Sequence, residues 1–205
     1  TMLIGIDVGG TKASALLVDP ATDAIVDREL TSSDGDGHTL VGKLAAMAGS
    51  LRERSPTPVS AVGLGIAGLA ERSGTVAWSP NLRGAVGHPV GPDLERALGL
   101  PVAVGNDATT ATLAEARLGA GRGCDDFALI TLGTGIGGGF VLGGRLQRGA
   151  HGFSGEPGHM VVSADGPVHV TGQRGPWEYY ASGSALGRLG SEAAAGGAFD
   201  RGVAL

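Results

Sequence analysis

Cysteine is nearly absent: Cys124 stands alone among 205 residues. No disulfide can form within the chain, and a reducing compartment, the cytoplasm, is the expected location. Aromatic residues make up only 4%, which leaves any core to Val, Leu, Ile and Ala. Charged residues are also sparse, 17% of the chain with a net charge of −5. No basic stripe is available to neutralise phosphates, so a nucleic-acid partner is not expected. No apolar run approaches the length of a membrane span, and no charged-then-apolar segment opens the sequence. A membrane-inserted or secreted protein is therefore not expected either.

What is abundant is glycine, 39 residues with no collagen-like period, alongside 42% apolar residues. The glycines gather at Gly9-Gly10, around Gly63, Gly65 and Gly68, from Gly133 to Gly139, and around Gly149 to Gly158. Glycine-rich turns at strand ends let backbone N–H groups approach phosphate oxygens.

The apolar pattern predicts strands over 3–7, 13–18, 24–30, 59–66 and 102–104. It predicts helices over 39–54, 93–98, 108–118 and 184–194, the first from the spacing of Leu40, Val41, Leu44, Ala45, Ala48 and Leu51. Residues 119–126 read as a linker, 127–132 and 140–142 as a hairpin around a glycine loop, and the stretch through Trp78, Asn81 and Gly84 as irregular. The order suggests two related α/β halves, 2–118 and 119–205, facing a cleft.

Two stretches match the dinucleotide fingerprint G-x-G-x-x-G: Gly63, Gly65, Gly68 and Gly133, Gly135, Gly138. Neither opens a helix within a βαβ unit, so neither supports hydride transfer. Asp7-Val8-Gly9-Gly10-Thr11-Lys12 is more informative. Its carboxylate ends a strand, where it can hold Mg²⁺ through water, and Thr11 and Lys12 can meet phosphate oxygens. An ordinary hairpin turn with polar tips remains the alternative. Gly133 to Gly139 repeats the logic, with five glycines in seven residues, a heavy entropic cost for a purely structural loop. Two such turns in two α/β halves suit the actin-like ATPase architecture. Asp107, after the strand at 102–104, can take the proton of an attacking hydroxyl or can simply cap the next helix.

Asp7 to Lys12, Asn81, Asn106-Asp107, Leu132 to Gly139, Gly149 to Gly152, Glu156-Pro157-Gly158-His159 and Trp177-Glu178 together resemble the ROK sugar kinases in order and rough spacing. The resemblance implies an actin-like (ribonuclease H-like) fold of two α/β domains and ATP-dependent, Mg²⁺-dependent phosphorylation of a hexose, glucose first. N-acetylhexosamines or fructose are the alternatives within the family. It implies Asp107 as catalytic base and sugar contacts from Gly68, Asn81, Asn106, Asp107, Glu156, His159 and Glu178. The nucleotide and its Mg²⁺ fall to Asp7, Gly9, Gly10, Thr11, Lys12, Thr134 and Gly135. A homo-oligomer, dimer or tetramer, is left open.

Two features depart from the family pattern. Where the family carries three zinc-binding cysteines, this chain has His169, Thr171 and Pro176, with Gly172 and Gly175 retained. The thiolates are gone, so no structural zinc is expected, and His159 and His169 read as unconnected. ROK kinases also continue well past the helix near Leu186, so a C-terminal part is expected to be missing from this sequence. Sugar-responsive repressors of the family carry a DNA-binding domain before the first phosphate turn. With Met2 almost on the first strand, that reading is not expected, and a catalytically inactive sugar binder remains the other rival.

Overall fold

The structure, a computed structural model, describes residues 1–197. Strict alternation makes β1 (Met2–Val8) a half-buried strand: Met2, Ile4, Ile6 and Val8 face the core, while Leu3, Gly5 and Asp7 face away. β2 (Lys12–Asp19) returns antiparallel, and β3 (Ala24–Ser32) follows after a turn in which the Asp19 carboxylate accepts from the Ala21 amide at 3.0 Å. α1 (Gly37–Glu53) begins at Asp36, whose carboxylate accepts from the Thr39 amide at 2.8 Å, a helix N-cap. It buries Leu40, Val41, Leu44, Met47, Ala48 and Leu51, one stripe at helical spacing.

β4 (Val59–Ile66) has the bounds that its apolar run predicts. The stretch expected to be irregular contains a small hairpin, β5 (Leu69–Ala70) with β6 (Val76–Trp78). α2 (Val90–Leu98) starts three residues earlier than its charged residues suggest. Pro92 is tolerated there because first-turn amides have no helical acceptor to lose. β7 (Val102–Asn106) runs parallel to β4, and α3 (Asp107–Leu118) follows without a loop.

Five of these strands form one sheet in the order β3-β2-β1-β4-β7, with β1, β4 and β7 parallel, and β5 and β6 form a separate pair. α1 and α2 pack against each other, and their buried residues form one core with β1, β2 and β4. Leu44 has no exposure and Leu30, on edge strand β3, is 64% exposed. Leu44→Ala is therefore expected to cost about 2–5 kcal/mol and Leu30→Ala about 0.5 kcal/mol or less, as read from urea unfolding midpoints.

By internal contacts the chain forms two compact units. The first is Thr1–Ala114 with Arg148–Ser154. The second is Glu115–Gln147 with Gly155–Leu205, described to Gly197. The second holds β8 (Phe127–Leu132), β9 (Ile136–Leu142) and β10 (Arg145–Leu146) in the order β10-β9-β8. β9 takes in Gly137 to Gly139, which the sequence reading leaves in a loop. The reason is a tight tertiary fit: a Cβ on Gly138 would lie 2.8 Å from Pro157 and overlap the Leu129 carbonyl. A 3-10 turn (Pro157–His159), α4 (Trp177–Ala181) and α5 (Gly183–Ala195) complete the unit; α4 is not apparent from periodicity, being too short to show one. Among the described residues no helix is long and apolar enough to cross a membrane.

Candidate active site

In the first unit the alternation of β1 turns Asp7 to the face opposite the core. Parallel pairing then sets Asp7 beside Gly65 of β4, and Gly65 beside Gly105 of β7. Gly65 is the floor of this corner. A Cβ there would lie 2.8 Å from Thr110 Oγ1, 3.7 Å from Asp107 Cα and 3.8 Å from Asp7 Oδ1. Any side chain would crowd the two carboxylates or push α3 away.

The β1–β2 turn is closed by the Gly9 amide donating to the Lys12 carbonyl at 3.0 Å, and by Ser33 Oγ donating to the Gly9 carbonyl at 2.7 Å. Thr11 and Lys12 are exposed beside it. Gly10 packs against Asn81, where a Cβ would come within 2.8 Å of Asn81 Cβ. Asn81 is brought there by Ser79, which is buried. The Ser79 hydroxyl donates to the Ala67 carbonyl at 2.6 Å and accepts from the Asn81 and Leu82 amides at 3.3 and 3.0 Å.

Asn106 and Asp107 divide two tasks. Asn106 Oδ1 accepts from the Thr109 amide at 3.0 Å, the bond of a helix N-cap, so the cap of α3 is Asn106. Its Nδ2 donates to the Gly68 carbonyl at 3.0 Å and to Asp107 Oδ1 at 2.8 Å. Gly68 can offer that carbonyl because it adopts φ 142°, a region that L side chains rarely enter, with Trp78 and Ser79 packed against it. Asp107 Oδ1 also accepts from the Ala108 amide at 3.0 Å. Surrounding protein desolvates the Asp107 carboxyl and raises its pKa, against the lowering effect of its hydrogen bonds, and the charge of Asp7 adds to the rise. The residue still reaches solvent.

In the second unit the glycine loop is tied to the start of α5. The carbonyls of Gly133 and Thr134 accept from the Gly183 and Ser184 amides at 2.8 and 3.2 Å. Glu178 fills the space where Gly135 lacks a Cβ, and its Oε2 accepts from the Ile136 amide at 2.8 Å. Its Oε1 lies 3.5 Å from His169 Nε2. The Trp177 amide donates to the Met160 carbonyl at 2.8 Å, which joins α4 to the 3-10 turn carrying His159. His159 Nε2 lies 3.8 Å from Glu156 Oε2, and Gln173 Nε2 donates to the His159 carbonyl at 2.5 Å.

The loop between Ser163 and Pro176 is closed by hydrogen bonds. The Val162 and Ser163 amides donate to the Gly175 carbonyl, the Gly175 amide donates to the Pro167 carbonyl at 2.9 Å, and the His169 amide donates to the Gln173 carbonyl at 2.8 Å. Arg174 Nη1 adds a bond to the Gly166 carbonyl at 3.2 Å. His159 faces Glu156, while His169 lies between Thr171 Oγ1, 3.1 Å from its Nδ1, and Glu178 on its Nε2 side.

The ROK family matches residues 3–197 of this sequence. The chain belongs to the ROK family. It is 36% identical over 194 residues to a glucokinase of Streptomyces coelicolor, covering 94% of this chain and 60% of that one. It is 39% identical over 198 residues to a kanosamine kinase of Amycolatopsis mediterranei, covering 92% and 61%. A solved ROK glucokinase of Streptomyces griseus, in complex with glucose and AMPPNP, superposes with a TM-score of 0.81 at 38% identity, over 96% of this chain and 62% of that one. This ROK chain thus spans about three fifths of the curated relatives it matches, and its fold is the α/β, actin-like one that its motifs imply.

Two residues of the first unit, Gly65 and Ser79, and one of the second, His169, escape the sequence reading. Gly65 looks like part of a failed fingerprint, and only its register with Asp7 reveals its place. Ser79 sits two residues before Asn81, in a Ser-Pro-Asn turn that could have signalled a side-chain cap on the chain reversal. His169 is visible only as the replacement for a lost thiolate.

Proposed function

We propose that this protein transfers the γ-phosphate of ATP to a hexose hydroxyl, glucose at the 6-position first, with Asp107 as general base. The observation that carries the reading is the division of labour at the end of β7. Asn106 caps α3, so Asp107 is left with a raised pKa beside Asp7 rather than serving as the cap. A carboxylate so placed can accept the proton of the attacking hydroxyl, and a pKa nearer the working pH favours that transfer. Catalysis otherwise comes from positioning and charge neutralisation.

The exposed carboxylate of Asp7, cleared on one side by Gly65, is a hard oxygen donor that suits Mg²⁺ held through water. Mg²⁺ bound there would offset phosphate charge. The Gly9-Gly10 turn with Thr11 and Lys12, and Thr134 with Gly135, are assigned to the phosphates. Sugar hydroxyls are assigned to Asn81, Asn106 and the Gly68 segment in the first unit, and to Glu156, His159 and Glu178 in the second. Glu178 keeps acceptor capacity beyond its bond to Ile136, since a carboxylate offers about four lone-pair sites. The glucokinase relatives and the solved glucokinase with glucose and AMPPNP support ATP and glucose; the kanosamine kinase relative keeps amino sugars in the comparison.

A coupled assay of the complete protein with ATP and Mg²⁺ across glucose, N-acetylglucosamine, N-acetylmannosamine, N-acetylgalactosamine, kanosamine and fructose tests this. The expected result is the largest kcat/KM on glucose. Turnover of no sugar would overturn the activity, and a preference for an amino sugar would overturn the choice of glucose.

A further inference from the structure

Away from every residue assigned above, the first turns of α1 and α2 lie near each other in the first unit and bring three metal-ligating side chains together. His38 is in the first turn of α1, Asp93 is in the first turn of α2, and His88 sits just before α2. Their ligand atoms all lie within 4.8 Å of one another. The two imidazole rings meet edge-on, 4.5 Å between centroids at 76°. His88 Nε2 is buried and stands 3.0 Å from Asp93 Oδ2, so one cation could meet both atoms.

His88 is held firmly. Its amide donates to the Ala85 carbonyl at 3.0 Å, and its carbonyl accepts from the Val76 and Val90 amides at 3.1 and 2.9 Å. Gly37 leaves the space for its ring, since a Cβ there would overlap the imidazole. Arg96 takes the other Asp93 oxygen, Oδ1, at 2.7 Å, which orients the carboxylate and leaves Oδ2 toward the histidines. His38 is the exposed member.

We propose that His38, His88 and Asp93 bind one divalent late first-row cation, zinc foremost, with solvent in the remaining position. Two imidazole nitrogens and one carboxylate oxygen are a donor set for such ions, whereas Mg²⁺ and Ca²⁺ favour oxygen alone. Donor atoms sharing a tetrahedral ion at bonds of 2.0–2.1 Å lie about 3.3 Å apart, close to the 3.0 Å between His88 and Asp93. Rotation of the exposed His38 ring closes the rest. Helix N-termini disfavour a cation, and the carboxylates of Asp36 and Asp93, one at the start of each helix, offset that field. The bound ion would clamp the start of α1 to the start of α2. This site is distinct from the loop whose thiolates are lost, and it departs from the expectation that the chain holds no structural zinc.

The test uses the complete protein, stripped with chelator and dialysed, then titrated with Zn²⁺ by calorimetry and with Co²⁺ by visible absorption. One equivalent should bind, raise Tm, and give the Co²⁺ spectrum of nitrogen and oxygen ligation. His38→Ala and Asp93→Asn should each weaken binding at least about tenfold and abolish the Tm shift. His38 is exposed, so that variant is expected to fold even if one at His88 does not. Absence of binding at about 100 µM Zn²⁺ would overturn the proposal. So would binding that His38→Ala leaves unchanged, or binding that is lost instead in His169→Ala.

Discussion

Asp107→Asn in the complete protein is expected to lower kcat by about 10²–10⁴-fold with little change in the KM for sugar. Asn keeps the size and the acceptor for the Ala108 amide but removes the group that takes the proton. The pH dependence gives an independent signature. Desolvation and the Asp7 charge raise the Asp107 pKa above the ordinary 3.8, so the acid limb of kcat/KM should fall with an apparent pKa above that value. The stability effect has the opposite sign. A carboxyl that binds its proton more tightly when folded contributes stability that is full below the unfolded pKa and is lost as pH rises through the folded pKa. At neutral pH the ionised Asp107 is a net cost to folding, and Asp107→Asn should melt no lower than the parent protein. Near-parental turnover with an unchanged acid limb would reduce Asp107 to a structural residue of α3.

The second large effect is expected at Glu178. Glu178→Gln retains a carbonyl oxygen for the Ile136 amide and removes the charge, while Glu178→Ala removes both. If Glu178 holds sugar hydroxyls, Glu178→Gln should lower kcat/KM for sugar about 10–10²-fold, mainly through KM, with little change in Tm. Glu178→Ala should lower it about 10²–10³-fold and also destabilise, since the Ile136 amide loses the acceptor it has at 2.8 Å. The contrast between the two variants separates binding from support of the glycine loop. A Glu178→Gln protein with the parental KM would leave Glu178 only the supporting role. His169, 3.5 Å from the same carboxylate, is a positioning residue in this reading. His169→Ala should raise the KM less than Glu178→Gln does.

Local pattern alone was enough for much of this molecule. The period-two alternation of Met2–Val8 fixes which face of β1 meets the core, and so places Asp7 on the other side. The helical stripe of α1 and the mostly apolar run of Val59–Ile66 define their elements because spacing and burial are properties of short segments. The order of the motifs was enough to suggest the family. What no window of residues contains is the neighbour across the sheet. Asp7 meets Gly65 and Asp107 through two parallel pairings, β1 with β4 and β4 with β7, whose registers depend on how long connections close. Ser79 binding Ala67, Asn106 binding the Gly68 carbonyl, and Glu178 reaching Ile136 are likewise contacts between segments that sequence keeps apart. The meeting of His38, His88 and Asp93 depends on α1 and α2 packing side by side, with Gly37 leaving room for a ring. Periodicity records which face of an element is buried, but the choice of partner for that face is made by packing across the whole unit, and only the tertiary structure decides it.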